Sequence, residues 1–292
     1  MQASKEKLYP APLPKGISHP TQRLYIMNKC TRVPLSVLLL SLLQACGGGG
    51  GDDGAPNAAS PAAGVAGADT GKVSARFVPK EKKRFMVFAR GLETFSAGDS
   101  EQAESGAMVR LGDYTLSGSR QTADISGDAH YALGRWVRGT VTGSSRTDTL
   151  TGEDNNAYHY LVYNGLVKLP ASGQLQCTTV AATAPTNLAG SDRTTGSASG
   201  TAHISFDAAG AAIQGALQVR LNAGEAKVDL STRIERAGAM PITGRMLAQG
   251  PGAAIALADQ GSATPALVVA YKARPPGGDL YTGVARLQCK SI

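Results

Sequence analysis

Between residues 213 and 234 apolar and polar positions alternate with a period of two. Ile213, Gly215, Leu217, Val219 and Leu221 share one face, and Gln214, Ala216, Gln218 and Arg220 share the other. After Asn222-Ala223-Gly224 the alternation resumes. Val228, Leu230, Thr232 and Ile234 then fall on the apolar face, with Lys227, Asp229, Ser231 and Arg233 opposite. Such a pattern on both sides of a short turn predicts an antiparallel hairpin buried on one face. Further strands are predicted over 174–182, 201–206, 242–249, 253–258, 266–272 and 280–289. With the two of the hairpin they number about eight, and their close spacing suits an up-and-down barrel or a sandwich.

Upstream, from Phe77 to Pro170, the pattern is β but less regular. Residues 84–89 (Arg-Phe-Met-Val-Phe-Ala) read as a first strand, and the polar stretch 92–106 as a loop or a short helix. Met108 to Leu116 reads as a strand with a bulge or tight turn at Gly112-Asp113. The stretch from His130 to Val141 is the richest in aromatic and apolar residues, and Trp136, the only tryptophan, is predicted to anchor the core of this part. Residues 153–156 (Glu-Asp-Asn-Asn) read as a turn, followed by a strand from Tyr158 to Tyr163.

Before residue 77 the pattern is of another kind. Met27 opens a short segment carrying Lys29 and Arg32, and an apolar run follows from Val33 to Leu43, interrupted by Pro34, Ser36 and Ser41. A basic head, a short apolar core and a small residue before a cut describe an export leader. The run falls short of the ~20 apolar residues that span a bilayer. Leu43-Gln44-Ala45-Cys46 resembles the lipobox of bacterial lipoproteins, Leu-x-(Ala/Gly)-Cys. The resemblance implies cleavage before Cys46, lipidation of Cys46, and membrane attachment through that lipid. Because Gly47, not aspartate, follows the cysteine, it further implies the outer membrane, with the body periplasmic or surface-exposed. Five glycines, Gly47 to Gly51, open a stretch rich in Gly, Ala, Pro and Asp that reads as a disordered tether.

The expected organisation is therefore an unstructured segment 1–26 upstream of the true start at Met27, then a leader over 27–45 and a tether over 46–76. An N-terminal β subdomain follows over 77–170 and a C-terminal β-barrel domain over 171–292. This partition changes the meaning of the formal charge of +7. Residues 1–45 hold six basic side chains against Glu6, so +5 departs with them and +2 remains. Nucleic acid is not an expected partner, since such binding needs a concentrated basic face. The one basic cluster, Lys80, Lys82, Lys83 and Arg84, reads as a solvated charge run.

The order Gly134-Arg135-Trp136, Tyr158-His159-Tyr160, residues 169–173 (Leu-Pro-Ala-Ser-Gly), then Ala184-Pro185-Thr186 leads into a glycine-rich meander. It resembles the C-terminal barrel region of transferrin-binding-protein-B-like lipoproteins, over about the last half of the chain. The resemblance implies an all-β protein with a small eight-stranded antiparallel up-and-down barrel on a lipid-anchored body. It carries no transferrin-binding residue to any position. In such a barrel the first and last strands pair, because closure requires it. Cys177 lies on the first and Cys289 on the last, both in phase with inward residues, and an exported protein permits their pairing. A Cys177–Cys289 disulfide is therefore expected, with a Cα separation of about 5.5–6 Å.

Candidate chemistry is sparse. Residues 196–200 (Gly-Ser-Ala-Ser-Gly) miss the spacing of a nucleophile elbow. His130, His159 and His203 lack metal-ligand spacing and read as surface or hydrogen-bonded residues. Asp52-Asp53 and the 153–156 turn lack the alternation of a calcium loop. The expectation is a non-enzymatic protein with neither cofactor nor metal, which binds a protein partner through its loops. The alternative is a lipocalin-like carrier of a small hydrophobic ligand. Interior small residues suit either a cavity or a narrow barrel that packs on itself.

Overall fold

A computed structural model describes residues 67–190, 196–222 and 224–292. The fold is all-β, its strands forming two sheets. The first contains β1 (Gly71–Val73), β2 (Lys83–Ala89), β3 (Leu92–Ser96), β4 (Ser100–Gln102), β5 (Met108–Leu111), β6 (Tyr114–Asp128), β7 (Tyr131–Thr142), β8 (Thr147–Thr151) and β9 (Tyr158–Asn164). The second contains β10 (Gly173–Ala182), β11 (Thr186–Asn187), β12 (Ser197–Asp207), β13 (Gly210–Leu221), β14 (Gly224–Asp229), β15 (Thr232–Ile234), β16 (Ile242–Gly244), β17 (Gly252–Ala258), β18 (Ala266–Ala273) and β19 (Tyr281–Ser291). A single 3-10 turn, Met246–Ala248, is the only helical element among the described residues.

The second sheet is a nearly closed antiparallel barrel of eight strands in the order β14-β13-β12-β10-β19-β18-β17-β16, as the meander pattern predicts. Its first and last strands, β10 and β19, pair side by side. The remaining gap lies between β14 and β16, where the Thr243 hydroxyl donates to the Asp229 carbonyl at 3.1 Å. Inward side chains fill the interior. Leu217, Val219, Leu230, Leu267, Val269 and Tyr271 each retain no accessible surface, so no water-sized space adjoins them.

The first sheet curls into a half-barrel ordered β3-β2-β9-β7-β6-β5-β4. Trp136 sits at its core, fully buried, with its indole N–H donating to the Met108 carbonyl at 2.6 Å and Tyr158 and Tyr160 beside it. Several expectations need correction here. The polar stretch 92–106 holds strands β3 and β4 rather than a loop or helix. Met108 to Leu116 is not one strand: the tight turn expected at Gly112-Asp113, with Gly112 at φ 57°, separates β5 from β6, which runs on to Asp128. Ordered structure also begins before Phe77. β1 runs parallel to β6, and the Asp69 carboxylate accepts from the Thr122 N–H at 2.7 Å. A three-residue parallel strand held by its backbone ladder leaves no hydrophobic period to read. Residues 46–66 of the expected tether lie outside the described residues, as does the leader.

The two sheets share a layer. On β2 the even-numbered Met86 and Phe88 face the barrel, while Phe85 and Val87 face the half-barrel core. Leu133, Leu161 and Tyr163 join Met86 and Phe88. Against these large side chains the barrel presents small ones, Ala254, Ala256, Ala258, Ala266 and Ala270, so the sheets approach closely. Strands β17, β18 and most of β19 are consequently buried on both faces; β17 reads as a continuous apolar run, while β18 and β19 bury Lys272 and Arg286.

Candidate functional site

The shared layer opens to solvent at one end, and there the sequence cluster of cations is resolved into parts. Strand alternation sends Lys82 and Arg84 to the face that carries Met86 and Phe88. Lys80 instead forms an ion pair with Asp259 at 2.6 Å, and Lys83 reaches toward Ser100 Oγ at 3.4 Å. The four residues are therefore no single solvated run, which corrects the sequence reading. Arg84 lies directly opposite Tyr163 across the β2–β9 pair.

Arg84, Lys82 and Tyr163 line one wall of a cleft of about 290 Å³, and Arg236 and Gly238 from the β15–β16 connection line the other. Two more clefts adjoin it. One, of about 290 Å³, shares Arg84, Tyr163 and Gly238 and runs on to Phe95 and Met240. The other, of about 500 Å³, shares Val167 and Arg236 and contains Lys168. The first two lie at the junction of the sheets, and the largest continues the groove past Arg236 along the end of the barrel, between the β9–β10 connection and the β12–β13 turn. Lys82 is paired with Glu81 at 2.7 Å.

The electrostatics of this groove are unbalanced. Among the described residues, Arg84, Lys168 and Arg236 take part in no salt bridge. Of the acids lining it, Asp207 is held by Arg233 at 2.7 and 3.1 Å, leaving Glu235. The Tyr163 ring is buried, and its hydroxyl, without a protein partner among the described residues, reaches the solvent of the cleft. Burial pushes its phenol well above the ordinary range, with Arg84 opposing in part, so it stays protonated and available as a donor. Arg236 and Lys168 were not legible as site residues, because the groove assembles only when the β15–β16 connection packs beside β9.

The residues singled out in the sequence fall elsewhere. Cys177 and Cys289, directly opposed in register, are joined by a disulfide inside the barrel, with Cα atoms 3.9 Å apart, closer than the expected separation. Cys46 lies outside the described residues. His159 is fully buried between two threonine hydroxyls, His203 is exposed on β12, and His130 sits in the turn before β7. His130 and His159 lie toward opposite ends of the β7–β9 pair, since Arg135 faces His159 while Tyr131 faces Tyr163. Among the described residues no group of three or more His, Cys, Asp or Glu side chains is placed to hold a metal. The chain matches none of the protein families, curated proteins or solved structures with which it was compared.

Proposed function

We propose that this chain is a non-catalytic binding protein, anchored in the bacterial outer membrane by lipid on Cys46, whose barrel is a scaffold and whose partner surface is the groove between the sheets. One observation carries the choice of surface. The barrel interior is filled, with Leu217, Leu267 and Tyr271 retaining no accessible surface, whereas the sheet junction is recessed and charged. A carrier of the lipocalin kind needs the opposite arrangement, an open apolar interior. The membrane address rests on Leu43 to Cys46 and the glycine run after it.

A photo-crosslinking amino acid placed at Ala237 in the groove, and separately at His203 outside it, tests the reading in intact cells. Macromolecular adducts are expected from position 237 and not from 203. Adducts confined to 203 would place the partner surface elsewhere. Solvent extraction of purified protein that released a stoichiometric apolar molecule would favour the carrier.

A further inference from the structure

We infer that the groove between the sheets binds an extended acidic peptide segment of a partner protein, with carboxylates on Arg84 and Arg236 and the Tyr163 hydroxyl as a neutral donor between the sheets. The inference rests on the reading of the groove as the partner surface and adds the chemistry of what fills it.

Three observations lead to this ligand. The first is charge. Arg84, Lys168 and Arg236 have no acidic partner among the described residues, so an anion entering the groove displaces no internal ion pair on these three. Guanidinium groups present forked donors that match carboxylates, and such charge-assisted bonds are stronger than neutral ones.

The second is the distribution of that charge. Arg84 borders the first cleft and the one that runs on to Phe95, Arg236 the first cleft and the 500 Å³ one, and Lys168 the 500 Å³ one. Cations strung along a groove suit acids spaced along a chain better than one compact phosphate. Between them the walls are apolar, with Ala256, Leu257, Phe95 and Met240, which suits side chains interleaved with the acids. An anionic membrane surface fits less well. Arg236 and Lys168 are exposed, but Arg84, the cation common to both clefts at the sheet junction, is half-buried beside Tyr163, where a flat surface does not reach it.

The third is Tyr163. Its ring packs between the sheets, while its hydroxyl has no protein partner among the described residues and meets the solvent of two adjoining clefts beside Arg84, where it can donate to a ligand carboxylate or carbonyl.

Anisotropy of a labelled ten-residue peptide of alternating Glu and Leu, titrated with full-length protein, tests the inference. A peptide with Lys in place of Glu is the control. Saturable binding of the Glu peptide alone is expected. Arg84→Gln and Arg236→Gln should each weaken it about tenfold or more. Tyr163→Phe should weaken it by roughly fivefold with an unchanged thermal midpoint, and Lys80→Gln should leave it unaltered. If Arg84→Gln does not fold, Arg236→Gln, on an exposed loop, carries the same test.

Equal binding by the Tyr163→Phe protein would reduce the effect to diffuse charge and overturn the inference. So would displacement of the peptide by millimolar inorganic phosphate, or Arg84-dependent binding to phosphatidylglycerol vesicles without peptide binding. Crosslinks at Ala237 with no peptide affinity would sink the acidic-peptide assignment and leave the binding reading standing. Failure of both would remove the groove as a partner surface.

Discussion

Cys177 and Cys289 stand directly opposite one another on β10 and β19, the neighbouring strands at which the two halves of the barrel meet. The bond encloses a sequence separation of 112 residues, nearly the whole barrel. Loop-closure entropy for that length corresponds to about 4–5 kcal/mol. The Cys177→Ser/Cys289→Ser protein is therefore expected to unfold at much lower urea than the parent, and reductant should shift the parent alone. Peptide mapping of natively exported protein should return the linked 177–289 pair. Two alkylatable thiols there, or identical urea midpoints, would remove this bond from the stability of the barrel.

Lys272 and Glu93 link the two sheets within the shared layer. Lys272 projects outward from β18, only 1% exposed, and its ammonium contacts the Glu93 carboxylate on β3. It also donates to the Met246 carbonyl at 3.0 Å and to Gln249 Oε1 at 3.4 Å. Removing one partner of a buried pair strands the other, so Lys272→Met alone should cost about 3–5 kcal/mol. The double variant Lys272→Met/Glu93→Leu should recover most of that loss in urea unfolding, because no charge is left buried alone. A neutral single variant would show that water reaches Glu93 freely.

Glu93 also shows why parts of the fold were hidden in the sequence. The hairpin β13–β14 was legible because one face meets the core and the other meets water, which writes a period of two into Ile213 through Asp229. β3 carries no such signature. Its polar Glu93 is turned into the inter-sheet layer to meet Lys272, so a buried position reads as a surface one. β8, over Thr147–Thr151, buries Leu150 alone among its five residues and was missed for the same want of contrast. The groove was less legible still. The cluster from Lys80 to Arg84 was visible, but its division between an ion pair with Asp259 and a groove wall depends on strand phase and on where the barrel lies. The disulfide could be anticipated because closure of an up-and-down barrel fixes which strands must meet.

The proposed lipid anchor can be tested apart from the fold, since Cys46 precedes the described residues by about twenty positions. Cys46→Ser is expected to abolish acylation, seen as loss of the acyl mass from the N-terminal peptide, and to leave the protein unprocessed or soluble. The Cys177–Cys289 bond should form in the variant wherever it reaches an oxidising compartment. A parent protein without acyl mass, whose membrane fractionation matches that of the variant, would remove the anchor.

His159 gives the fold a defined response to acid. Its ring is fully buried, with Nδ1 2.7 Å from the Thr183 hydroxyl and Nε2 2.7 Å from the Thr186 hydroxyl. Those threonines belong to the segment after β10, and Thr183 Oγ1 in turn accepts from the Val284 N–H at 3.1 Å. The imidazole thus ties β9 of the half-barrel to β19 of the barrel. Two hydroxyls serve either neutral tautomer equally well. Burial holds the pKa well below the ordinary histidine value, and the charge of Arg135, its partner across the β7–β9 pair, lowers it further. A group whose folded pKa is depressed binds its proton only after unfolding. Stability is then complete above the unfolded value of about 6.5 and falls as pH drops below it, by up to ~1.4 kcal/mol per pH unit. Between pH 6.5 and 5 the urea midpoint of the parent should decline on this account. His159→Gln should start lower at pH 7.5, having lost part of the link, yet change much less across the same window. Parallel pH profiles for the two proteins would assign the acid response to other groups.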